Sequence, residues 1–135
     1  MTAPAQPRPS RSRMAAALRA LALANEAPRS SGPALASWRW TMRQRVVAVR
    51  DALTAEPGRD VTGNGWLAAR GGTAFRERNV LLGRLHELST RVIEDPEVGA
   101  VRAEVARVVA DVGHHVQRVH DLAYDDVELE LGGSE

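Results

Sequence analysis

DPEVGAVRAEVARVVADVGHHVQRVHDLAYDDV, residues 95–127, is the stretch that decides the fold. Val98, Val101, Val105, Val108, Val109, Val112, Val116, Val119, Ala123 and Val127 recur at steps of three and four. At the helical period they fall within a stripe of roughly 100°. Valine is a poor helix former, so its abundance invites a β reading. No segment alternates with period two before residues 127–131, so the period outweighs the propensity. Residues 95–127 therefore read as one helix of about 48 Å. Asp95-Pro96-Glu97 marks its start: a capping carboxylate, a proline suited to the first turn, and an acid at the positive end of the dipole.

Just upstream, residues 73–94 carry Phe75, Leu81, Leu82, Leu85, Leu88, Val92 and Ile93 on one face, with Arg78 inside it. The link to the next helix is short, so the two are antiparallel neighbours. Equal rise then makes facing positions sum to about 190. That register sets Arg78 beside Asp111, Glu104 opposite His86, and Trp66 and Arg70 near His120 and Tyr124. A buried guanidinium left unpaired is costly, so an Arg78–Asp111 pair is expected.

Further out, Leu35, Trp38, Met42, Val46, Val49 and Leu53 form a seam of about 80° over residues 33–56, close to a coiled-coil a/d pattern. Pro33 suits its first turn and Pro57-Gly58 ends it. Residues 57–72 hold five glycines and read as a loop with a short helical piece at 66–70, capped by Asn64. Residues 14–26 are helical by propensity, with Met14, Leu18, Leu21 and Asn25 on one stripe. Residues 1–13, with three prolines and three arginines, read as a disordered basic arm. Residues 128–135 read as an acidic flexible tail. The expected fold is all-α: an antiparallel bundle of three long helices plus a shorter N-terminal helix, in a single domain over 14–127.

The chain has 135 residues and no cysteine, which excludes disulfides, thiol catalysis and cysteine-ligated metal. No apolar run approaches the roughly 20 residues of a membrane span, and a cytoplasmic protein is expected. All 18 basic residues are arginine and isoleucine occurs once, which fits a GC-rich bacterial coding sequence. The net charge of +1 conceals segregation: residues 1–50 carry +8, residues 51–90 zero, and residues 91–135 carry −7. Such halves attract each other within one molecule, join copies head to tail, or bind separate partners.

Candidate chemistry is sparse. His114, His115 and His120 leave their helix on three different sides, so a metal site is not expected, and no cofactor is implied. The glycine loop lacks the lysine of a phosphate-binding loop. No serine sits in a nucleophile motif. The basic arm supplies Arg8, Arg11, Arg13 and Arg19 as candidate nucleic-acid contacts, without a recognised motif. On residues 33–56, Trp40 and Val47 lie about 120–140° from Leu35, forming a second apolar face beside Arg39 and Arg43. The N-terminal helix is expected to cover that face, with a homodimer or an external protein as the other occupants. The function expected is a non-enzymatic interaction or scaffold protein acting through protein–protein contacts. A nucleic-acid-associated protein is the alternative, and a metal-binding or enzymatic bundle using His86, His115 and His120 is a further one.

Overall fold

The computed structural model describes the backbone of residues 9–27, 31–55 and 65–132, and the side chains of 13–27, 31–55 and 72–122. Four helices follow in chain order: α1 (Pro9–Asn25), α2 (Pro33–Thr54), α3 (Gly65–Glu94) and α4 (Val98–Gly132). There is no strand among the described residues. α1 packs on α2 and α4, and α3 packs on the same two helices, so α1 faces α3 and α2 faces α4 across the diagonals. Bonds near the helix ends fix the antiparallel sense. Asn25, closing α1, meets Arg102 near the start of α4. Arg39, in the second turn of α2, meets Val92 in the last turn of α3.

The apolar stripes read from the sequence build the core. Met14 and Leu21 are buried on α1, and Met42, Val46, Val49 and Leu53 on α2. Leu81, Leu85, Leu88 and Val92 meet them from α3, and Val101, Val105, Val108 and Val112 from α4. Burying one such side chain contributes about 1.5–3 kcal/mol. Valine loses only about 0.5 kcal/mol of helix propensity relative to alanine, so packing overrides it.

The structure moves four boundaries. α1 begins at Pro9, so residues 9–13, expected in the disordered arm, are helical. A proline in the first turn loses nothing, because that turn has no partner for its N–H. α3 begins at Gly65 and continues through Gly71-Gly72, where a loop was expected. Each glycine costs about 1 kcal/mol against alanine but does not stop a helix. The only positive φ among the described residues is at Gly32, 66°, which turns the chain into Pro33. α4 runs to Gly132, so residues 128–132 of the expected tail are also helical. Its start falls at Val98: Val101 N–H reaches the Glu97 carbonyl, while Asp95 Oδ1 accepts the Glu97 N–H at 2.9 Å from outside the helix. Residues 1–8, the linker at 28–30, Asn64 with residues 56–63, and 133–135 lie outside the described residues.

The register leaves the long helices overhanging. Arg78 Nε and Nη2 donate to the Leu53 and Thr54 carbonyls, the last of α2. Residues 65–77 of α3 therefore pass beyond α2 by about 20 Å. The Asn25–Arg102 contact sets equal heights on α1 and α4 at positions summing to about 127, so α4 likewise outruns α1 by about 20 Å.

Candidate functional site

The outward face of α2 carries the first candidate surface. Trp40 is 57% exposed, and the Arg43 guanidinium lies over its ring at 5.7 Å from the centroid. Val47, two turns along the same face, is half-buried. Cation–π contact at an exposed site is worth about 0.5–1 kcal/mol, which biases the indole toward this orientation. Arg39 is directed elsewhere: its Nη1 donates to the Val92 carbonyl at 3.1 Å. α1 does not cover Trp40, which corrects the sequence expectation. The N-terminal helix covers Trp38 instead, whose Nε1–H donates to the Ala24 carbonyl at 2.9 Å. Trp38 and Trp40 point about 160° apart at the helical period, so one neighbour does not reach both.

The α1–α2 layer also presents arginines. Arg13, Arg19, Arg43 and Arg45 are exposed. Arg13, Arg19 and Arg45 have no hydrogen-bond or ion-pair partner among the described residues. Arg50 lies 3.6 Å from Asp51. Of the two remaining candidate nucleic-acid contacts, Arg8 lies outside the described residues, as does the side chain of Arg11.

The charges between α3 and α4 are spent on each other. His115 is buried, and its Nδ1–H donates to Glu77 Oε1 at 2.7 Å. Arg118 donates to both carboxylate oxygens of Glu77, at 3.1 and 2.6 Å. Burial pushes the Glu77 carboxyl up, but the bonds from Arg118 and His115 outweigh it and leave it below the ordinary glutamate value. Arg84 bridges Asp111 at 2.7 Å and Glu104 at 3.3 Å. Its bond to Asp111 raises its own affinity for the proton. Glu104 is likewise pushed up by burial and held below its ordinary value by the bonds from Arg107 and Arg84.

These contacts correct two expected pairings. Asp111 is bonded by Arg84 rather than Arg78, because Arg78 is turned to the end of α2. Glu104 takes Arg84 and Arg107, while His86 is exposed to solvent. His114 is exposed, His115 buried and His120 half-buried. Trp66, Arg70 and Tyr124 have side chains outside the described residues. Among the described residues no group of three His, Cys, Asp or Glu side chains is placed to hold a metal ion. No described helix is long and apolar enough to cross a membrane.

Sequence reasoning missed Glu77, Arg84 and Arg118. They flank the apolar stripes of α3 and α4, where charged residues normally line a seam, and the register already set them at matching heights.

No protein-family profile, curated protein or solved structure matches the chain.

Proposed function

We propose that the chain is a non-catalytic interaction protein of the cytoplasm, acting through protein–protein contacts at the outer face of α2. The observation that carries this reading is Trp40: a large indole, 57% exposed, under the Arg43 guanidinium, with Val47 two turns along the same side of α2. Tryptophan and arginine are the residue types that most often anchor protein contacts. An anchor already fixed in the free protein also loses little side-chain entropy on binding. Phosphate recognition needs cations alone, and the apolar component of this face favours a protein surface over nucleic acid.

The test compares two variants in retention experiments with native host extract. Trp40→Glu should lose the proteins that the unaltered chain retains. Val80→Glu, at an equally exposed apolar position on α3, should keep them. Retention of the same proteins by both variants overturns the assignment of the contact to α2.

A further inference from the structure

Resting on that contact face, we infer that a partner of the α1–α2 layer is a second copy of this chain, whose acidic α4 overhang lies across it about a two-fold axis. The charge layout motivates this. Residues 1–55 carry nine arginines and two acids, whereas residues 56–135 carry nine arginines and fifteen acids. Residues 121–130 alone hold five acids and no basic residue. Among the described residues of the α3–α4 layer, Arg84, Arg107 and Arg118 are engaged with carboxylates and Arg102 with the Asn25 carbonyl. In the α1–α2 layer Arg13, Arg19 and Arg45 have no partner among the described residues.

Among the described residues no arginine of α1 or α2 is paired with a carboxylate of α4. α2 and α4 are diagonal. The register puts residue 125 about 22 Å along the bundle axis from Arg45. At physiological ionic strength charges are screened beyond about 8 Å. The arginines of the α1–α2 layer are therefore beyond the electrostatic reach of the same chain's α4 overhang.

Its dimensions fit a second copy. The overhang is about 20 Å long, and Trp40 to Thr54 spans about 21 Å of α2. The overhang exists only where α1 and α2 have ended. In an inverted pair, each overhang passes across the other copy's α1–α2 layer, so the contact closes on itself instead of propagating. Pairing of overhang with overhang is opposed by like charge, five acids against five.

Light scattering on the full chain tests the proposal. At about 0.01 M ionic strength the mass should be that of two chains, and association should weaken at least about tenfold at 0.15 M, as the screening length falls from about 30 to about 8 Å. Arg13→Glu/Arg19→Glu/Arg45→Glu should be monomeric, and so should Asp125→Arg/Asp126→Arg/Glu128→Arg. Mixing the two should restore a dimer, one chain of each kind, which two misfolded variants do not give. A monomeric unaltered chain at low salt overturns the inference, as does a dimer that survives either triple change. Retention of a labelled DNA duplex by a monomeric unaltered chain, lost in the arginine variant, assigns the face to phosphate and also overturns it. The Trp40→Glu retention experiment is independent of chain mass, so loss of the dimer alone leaves the α2 contact reading standing.

Discussion

Where α1 meets α2, Trp38 donates to the Ala24 carbonyl; where α3 meets α4, Arg84 and Arg118 reach carboxylates. The α2–α3 seam follows the first pattern, with Arg39 on the Val92 carbonyl and Arg78 on Leu53 and Thr54. The α1–α4 seam does too: Asn25 Nδ2 donates to the Arg102 carbonyl, and Arg102 Nε returns a bond to the Asn25 carbonyl. A main-chain carbonyl does not titrate, and its place is fixed by the helix that owns it. A carboxylate moves on a side chain and is lost as an acceptor in acid. Three seams are thus locked in register irrespective of pH, while the α3–α4 seam depends on charge.

Removing Glu77 attacks the charged seam where it is most buried. Glu77→Ala takes the acceptor from the buried His115 Nδ1–H and from Arg118, and should cost about 2–3 kcal/mol in urea denaturation at neutral pH. Acid should reach the same seam without mutation. The Glu77 and Glu104 carboxyls bind protons less readily folded than unfolded. Their stabilisation is therefore present above the ordinary value of 4.5 and lost as pH falls below it. As pH falls below 4.5, hydrogen exchange should loosen α3–α4 amides before those of α1–α2, and uniform loosening would erase that contrast. A carbonyl-locked seam should respond less to a single loss: Trp38→Phe keeps the ring but not the donor, and should cost about 1 kcal/mol, read from the denaturation midpoint.

Much of this arrangement was legible. The four helices, their stripes and the antiparallel order follow from period and link length. Glu77–His115 and Arg84–Glu104 fall within about two of the facing sum of 190. The wrong partner for Asp111 came from angle, not height. In a four-helix bundle the apolar stripe points between two neighbours, so Arg78, within the stripe, turned toward α2 while Arg84, at its edge, turned toward α4. The glycine pair in α3 misled because local propensity was set against a helix stabilised mainly by packing. The uncovered Trp40 was foreseen as a face but not as a bare one: the neighbour that reaches Trp38 leaves the opposite side open.

Smaller effects sharpen the contrast. Arg84→Met should cost only about 0.5–1 kcal/mol, since its side chain is 30% exposed and Asp111, 46% exposed, regains water. Asn25→Ala should move the thermal midpoint least, by about 0.5 kcal/mol or less. It removes one hydrogen bond but also a buried Oδ1 that accepts none.

Apart from that of Arg102, the carbonyls that receive these cross-helix donors lie at the C-terminal ends of helices. Ala24 and Asn25 close α1, Leu53 and Thr54 close α2, and Val92 lies in the last turn of α3. Neither α1 nor α2 has a basic residue in its own last turn. Each obtains its positive terminal charge, or its terminal donor, from the helix packed beside it. α1 and α2 are thus finished only once their neighbours have docked. Fraying of one end and departure of the next helix become a single event, and the four-helix part should open as one cooperative unit, with circular dichroism and tryptophan fluorescence reporting the same transition.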